Sequence, residues 1–441
     1  MRRVNISANY LLNGFFMLAC CNPAASANEL DAISRLAQLR SADSAASANM
    51  KSPIRKTYSL DSLLQIARQQ SPLLAVSRSE ELAARAGITT ARAYPNPELD
   101  FGIGQASGRG GSASGFSPSL GIAQPLENPW LRSSRLQTAQ ARSEVATSQT
   151  GLTQVLLIAE IKRRFLEVAR LKEEVQAFQE DVRLTEQIRV RVQVRVRTGE
   201  APRFDLIRAD TEVAVAGKNL AAASLKLQQA LGALRQVISP TIESDFDIQL
   251  EEADVALLDE ADYQALRKRL LKENPDIVVA EREYERARSQ IDVERASALP
   301  QVSLRASQDR DPSVTINRIG AQIVIPFFNR REGPIAEAQA LAERARQQLE
   351  QRQFEFVAGF DSAWQGYQAA AGQVRALENG IVDRSRAVIE VAEAAYRFGE
   401  RGILEFLDAQ RQFRLVRNEL IQARFIARLA RTELERIAGL R

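Results

Sequence analysis

Glu405 and Asp408 stand three residues apart just beyond the turn "RFGERG", so a helix restarting there sets both carboxylates on one face. Such a pair supports two kinds of chemistry. It can move protons in general acid–base work, or, repeated around a narrow opening, it can favour cations over anions. Arg401 and Arg208 are the candidate ion-pair partners. Arg208 takes the place of Asp408 in an earlier copy of the same segment, and Asp205 takes the place of Glu405. Most acidic residues on helices only face solvent, so the meaning of the pair depends on the elements that hold it. The rest of the chain narrows the chemistry. There is no histidine, which removes Ser–His and Cys–His nucleophiles and imidazole metal sites. The only cysteines are Cys20 and Cys21, so the body of the chain has no disulfide or thiolate cluster. No nucleotide-binding loop is present. No cofactor is expected, and no pocket is implied around the carboxylates, which speaks against an enzyme.

The earlier copy is "RTGEAPRFDLIRAD" from Arg197, against "RFGERGILEFLDAQ" from Arg397, a spacing of about 200 residues. Other landmarks keep the same order. "SPLLAVSRSEELAARA" from Ser71 answers "NPDIVVAEREYERARS" from Asn274, "AYPNPEL" answers "ALPQVSL", and Pro125 answers Pro326. The sequence is therefore read as an internal duplication. Proline is absent from Leu131 to Ala201 and from Ile335 onward, and gathers around 95–129 and 300–334. Because proline breaks helices and ladders, each half reads as helix, short proline-bounded segments, then a very long helical stretch. The run from Leu131 to Val196 would reach roughly 100 Å at 1.5 Å per residue. Ile158, Ile161, Phe165, Val168, Val175, Phe178 and Val182 form an apolar seam at coiled-coil spacing, and Ile381, Val388, Val391, Ala395 and Phe398 continue such a seam in the second half.

Between the prolines the period changes to two. Leu99, Phe101 and Ile103 alternate with Asp100, Gly102 and Gly104, and Ile319, Ala321, Ile323 and Ile325 alternate with Gly320, Gln322 and Val324. These segments predict two hairpins, with strands at about 97–105 and 117–126 in the first half and about 301–309 and 315–327 in the second. The strands are long enough for a tilted membrane strand, and Tyr94, Phe116, Trp130, Phe327 and Phe328 lie near their ends, where an aromatic belt would sit. A small soluble sheet is the other reading. Four strands are too few for a barrel of one chain, since the smallest known has about eight, so a barrel requires several copies.

The N-terminus has the layout of an export signal: "MRR", the apolar run "YLLNGFFMLACC", and "AASA" ending at Ala27. Cleavage near Ala27 and acylation of Cys20 are both open. Net charge is +4 with both signs interleaved, which fits solvated helix faces and not a nucleic-acid footprint.

With "YRFGERGILEFLDAQ", the duplicated order and the proline-bounded strands in hand, the chain resembles the TolC family of outer-membrane efflux proteins from about Tyr58 to Ile437. The resemblance implies a mostly α fold with a membrane β-barrel part, a trimeric α/β-barrel channel-tunnel. The N-terminal layout gives residues 1–27 as signal peptide and 28–57 as a polar extension, and the resemblance implies 58–238 and 262–441 as the two efflux repeats and 239–261 as an equatorial connector. It also implies a homotrimer in outer-membrane lipid, a periplasmic adaptor (membrane fusion) protein at the tips, and an inner-membrane pump of RND type. Glu405 and Asp408, with Arg401, Arg208 and Asp205, fall at the family's periplasmic gate, where a trimer would make a ring of six carboxylates. Gly199, Phe204, Ile207, Gly399, Leu404 and Leu407 fall at the adaptor-docking tips. "YPNPELDFGIG" and "QPLENPWLRSSR" look most like the CzcC-like branch that serves heavy-metal cation pumps, although "ENPWLRSSR" lacks the usual glycine. A drug or protein exporter of the same architecture and a soluble coiled-coil scaffold are the rivals.

Overall fold

A computed structural model describes residues 56–107, 114–249 and 258–439. The chain divides into a unit Met1–Lys56 and a unit Thr57–Arg441. The export signal, Cys20 and nearly all of the 28–57 extension lie outside the described residues. The first repeat runs β1 (Lys56–Tyr58), α1 (Leu60–Gln70), α2 (Pro72–Arg92), β2 (Glu98–Ala106), β3 (Gly115–Leu126), α3 (Pro129–Arg197) and α4 (Arg203–Ile238). After β4 (Phe246–Ile248) the order recurs as α5 (Glu260–Glu273), α6 (Pro275–Ala296), β5 (Gln301–Asp311), β6 (Val314–Val324), α7 (Glu332–Ala376), α8 (Val382–Arg397) and α9 (Ile403–Ile437).

Proline and asparagine set the helix starts. Pro72, Pro129 and Pro275 each open a helix, where a missing N–H costs nothing. Asn128 accepts from the Trp130 N–H, and Asn274 accepts from Asp276 and Ile277. Asn274 also donates to the Ile437 carbonyl at 2.6 Å, tying the end of α9 to the α5–α6 corner.

α3 is flanked by α2 and α4 and by α6 and α9, while α7 lies against α6 and α9. The helical part is thus a wall four helices wide, in the order α2 with α4, then α3, then α6 with α9, then α7 with α8. β1 and β4 pair with each other, and with α1 they cover Leu157, Ile161, Phe165 and Val168 of α3. β4 lies inside the 239–261 connector. In the second repeat α5 covers Phe360, Trp364 and Tyr367, with Tyr263 stacked on Phe360 at 5.5 Å.

The sheet is an antiparallel meander, β2-β3-β5-β6, with β2 and β6 as open edges. Its register lines up Leu99, Ile122, Ala306 and Ile319 in one cross-strand row, and Leu126, Val302 and Ile323 in another. One face is therefore apolar and exposed. The other carries Asp100, Gly121, Ser307 and Arg318 in a row, and Glu98, Ala123, Arg305 and Gly320 in the next. On that polar face a Cβ on Gly102 would stand 2.5 Å from the Ser119 hydroxyl.

Three sequence expectations change. β6 stops at Val324, because Pro326 has no N–H for the ladder. The second long helix is broken: α7 gives way to a π-type segment at Leu377–Ile381, where Asn379 leaves helical angles and Gly380 takes φ 125°. The apolar seams also differ from the expected lines. On α3 the buried stripe drifts to Ala177, Asp181, Thr185, Ile188 and Val192, leaving Val175, Phe178 and Val182 half-buried. Along and beside α8, Ile381, Val388, Val391 and Phe398 are exposed, since this side of the wall has no neighbour among the described residues.

Candidate functional site: the paired helical tips

Each long hairpin turns in the same way. Gly199 and Gly399 both take φ +78°, a left-handed angle that a side chain disfavours. The Glu200 N–H bonds the Arg195 carbonyl at 2.8 Å, and the Glu400 N–H bonds the Ala395 carbonyl at 2.9 Å. These are glycine-ended helix caps that satisfy the last carbonyls before the chain reverses. The repeated tip segment seen in the sequence is thus the same turn used twice.

The two tips are held together by a shared apolar cluster. Ile188 and Val192 of α3 and Ala209 of α4 pack with Tyr396 of α8 and Ile403, Phe406 and Leu407 of α9. Tyr396 and Phe406 stack at 6.0 Å, and the Arg195 guanidinium lies 5.1 Å over the Tyr396 ring. Each large apolar side chain buried here contributes about 1.5–3 kcal/mol. Leu407 is 1% exposed, so it has no surface to offer a partner and leaves the docking set. Its place in the helical period turns it inward with Ile403. Phe204, Ile207 and Leu404 are exposed.

Glu405 and Asp408 are exposed on α9, in its first two turns. Arg401 donates to Glu405 at 3.2 Å. Arg208 is half-buried and makes no ion pair with Glu405 or Asp408 within the chain, among the described residues. Asp205 sits in the first turn of α4, where the helix dipole favours a carboxylate.

Directly behind the apolar cluster lies a polar layer that is not evident from the repeat. Asp181 of α3 pairs with Arg417 of α9 at 2.7 Å. Glu212 of α4 pairs with Arg411, and with Arg414 at 3.4 Å. Thr185 and Gln410 are also buried, and among the described residues the Gln410 amide has no hydrogen-bond partner on either end. Burial pushes the Asp181 carboxyl up from its ordinary value, against the pull of Arg417 and Arg414. The available signal was a run of polar types at core positions, Asp181, Thr185 and Gln410, which in helical bundles commonly fixes register. At the surface Arg191 joins Glu393 at 2.9 Å, again linking the two hairpins.

Among the described residues no group of three or more His, Cys, Asp or Glu is placed to hold a metal ion. Among the described residues no helix is long and apolar enough to cross a membrane, which says nothing of the sheet. The apolar sheet face, the doubled tip and the four-helix wall can be set against known proteins.

Residues 63–239 and 266–440 both match the outer membrane efflux protein family. The chain belongs to that family. Among similar proteins, the cobalt-zinc-cadmium resistance protein CzcC of Cupriavidus metallidurans is 23% identical over 86% of this chain and 90% of its own length. The pyoverdine export outer membrane protein OpmQ of Pseudomonas putida is 24% identical over 80% and 79%. Among solved structures, the outer-membrane channel OprN matches with a TM-score of 0.73 at 19% identity, over 86% of this chain and 89% of that one. VceC of Vibrio cholerae matches at 0.70 and 18%, over 86% and 96%. At such identities the structures speak for the fold alone: this outer membrane efflux protein is an α/β channel-tunnel subunit. Its sheet belongs to the outer membrane and its helices to the periplasm.

Proposed function

We propose that this outer membrane efflux protein is the exit duct of a tripartite pump, a homotrimer that passively conducts heavy-metal cations outward. The observation that carries this reading is the match between its open edges. The sheet ends at β2 and β6, and the helical wall ends at α2 with α4 and at α7 with α8. Both layers need a second copy on the same two sides. Two copies would give about eight strands, a size whose interior side chains fill, whereas three give about twelve and leave a bore. The exposed Ile381, just before α8, and Val388 and Val391 of α8 are then covered by α4 of the neighbouring copy.

The tips take the adaptor through Phe204, Ile207 and Leu404, on turns shaped by Gly199 and Gly399, and energy comes from an RND-type inner-membrane pump. Glu405 and Asp408 line the gate as six carboxylates per trimer, favouring cations, with Arg401 as the near partner and Arg208 and Asp205 on the facing hairpin. The relative named for cobalt, zinc and cadmium resistance supports a metal cargo. The comparably similar pyoverdine exporter supports a second reading, the same duct carrying an organic substrate.

Three measurements test this. Light scattering on detergent-solubilised protein is expected to give three times the protomer mass, and a monomer would end the duct reading. Glu405→Ala with Asp408→Ala is expected to raise conductance of the reconstituted trimer at low voltage and weaken block by multivalent cations; unchanged conductance and block would remove the gate. Growth of a deletion strain on zinc, cobalt and cadmium against a pyoverdine-export assay separates the two cargoes.

A further inference from the structure

The register places the start of β2, the end of β3, the start of β5 and the end of β6 at one end of the sheet, the end next to the helices. Exposed rings gather there. Tyr94 precedes β2, Trp130 follows β3, and Phe327 and Phe328 follow β6, with Phe328 97% exposed. Phe327 and Phe328 pack edge to face at 5.2 Å. Two exposed guanidiniums share this level, Arg92 at the end of α2 and Arg330 just after Phe328, and neither meets a carboxylate among the described residues. Most other arginines at these junctions are engaged: Arg132 lies 4.5 Å over the Tyr94 ring and donates to the Arg92 carbonyl, Arg135 pairs with Glu127, and Arg331 pairs with Glu294.

The placement of these groups is informative. Arg92 and Tyr94 stand at the β2 edge, and Phe327, Phe328 and Arg330 stand at the β6 edge. These are the two edges that pair when copies close a barrel. We propose that each seam between copies is a binding site for an anionic phospholipid of the leaflet on the helical side. Arg92 of one copy and Arg330 of the next take the phosphate, and the rings of Tyr94, Phe327 and Phe328 take the glycerol and upper acyl chain. Rings of this kind prefer the boundary between hydrocarbon and headgroups, and a basic side chain there gains from anionic lipid. A lipid that binds only the assembled seam stabilises the trimer by mass action. The inference rests on the trimeric-barrel reading, and its test separates the two.

The chain has two tryptophans, and Trp364 is only 6% exposed, so Trp130 is the natural reporter of the junction. Trimer reconstituted with lipid brominated near the headgroup is expected to show quenched fluorescence, and Trp130→Phe to lose the quenching. No quenching in the wild type would overturn the membrane placement itself. Phosphatidylglycerol and phosphatidylcholine are then titrated into delipidated trimer in detergent, and the trimer surviving a fixed heating step is read on a gel. The expected result is a roughly thirtyfold preference for phosphatidylglycerol, set by two guanidiniums. Arg92→Gln with Arg330→Gln should abolish the preference, and Arg92→Lys with Arg330→Lys should keep it. If the double Gln variant does not assemble, Arg330→Gln alone is read the same way and should weaken the preference. Quenching with equal protection by the two lipids, or a preference that survives in the Gln variants, would overturn the phosphate site and leave the barrel standing.

Discussion

Gln410 shows how a single side chain can work against the fold it sits in. Its amide is 1% exposed and unpartnered, in a helix stripe that is otherwise apolar toward the tip. An unmet buried amide costs about 1–3 kcal/mol. Gln410→Leu is therefore expected to raise the thermal midpoint, by an amount equivalent to about 1 kcal/mol, read by circular dichroism; a lower midpoint would mean that the amide has a partner in the assembled protein. Asp181 carries a second residue-scale cost. Its carboxyl is raised by burial, so the folded chain holds this proton to higher pH than the unfolded chain does. Between the ordinary carboxylate value and the raised one the unfolded state binds fewer protons, and stability falls as pH rises. The comparison that isolates this is wild type against Asp181→Asn, which stays neutral throughout. The wild type should lose ground to the variant as pH climbs from about 3.8 toward neutrality. A difference that is flat with pH, or that moves the other way, would show that Arg417 outweighs burial.

At the scale of elements, the two repeats agree in their turns and part in their long helices. α3 runs 69 residues without interruption, whereas the helix of the second repeat breaks at Asn379 and Gly380. No proline marks the break. The local signal is Asn-Gly, a turn-forming pair, and a glycine angle of φ 125° that other residues rarely adopt. Replacing both by alanine, Asn379→Ala with Gly380→Ala, favours one continuous helix, since alanine is the best helix former. The expected outcome is a higher helical signal at 222 nm with altered conductance of the reconstituted trimer. Unchanged ellipticity would mean that packing against α9, and not local preference, sets the break.

At the scale of the molecule, the sheet decides whether there is a conduit. Ile319 is 92% exposed and lies in the apolar row with Leu99, Ile122 and Ala306. A charge there would face lipid, where it costs up to about 2–4 kcal/mol near the midplane for a basic residue and less for an acidic one. Ile319→Lys is expected to lower the yield of membrane-inserted trimer severalfold, measured by fractionation and heat-modifiable migration on gels. Gln322→Lys, on the opposite polar face, should leave insertion intact. Equal yields would argue that this face does not meet lipid.

Local features were legible in the sequence because they depend on neighbours along the chain. Prolines fixed helix starts, the change of period from three-and-four to two marked the strands, and the repeated glycine turn marked both tips. The pairing of Arg401 with Glu405 also follows from their four-residue spacing across the start of α9. Burial is set instead by residues far away in sequence. Leu407 turned inward because Tyr396 and Ile188 meet it there, and Asp181 and Glu212 became buried ion pairs only when α9 brought its arginines against them. The apolar side of α8 could not be assigned from its period, because the same stripe serves an internal seam or an open edge. Tertiary structure left it uncovered, for the physical reason that a wall four helices wide has two sides with nothing further among the described residues to close them.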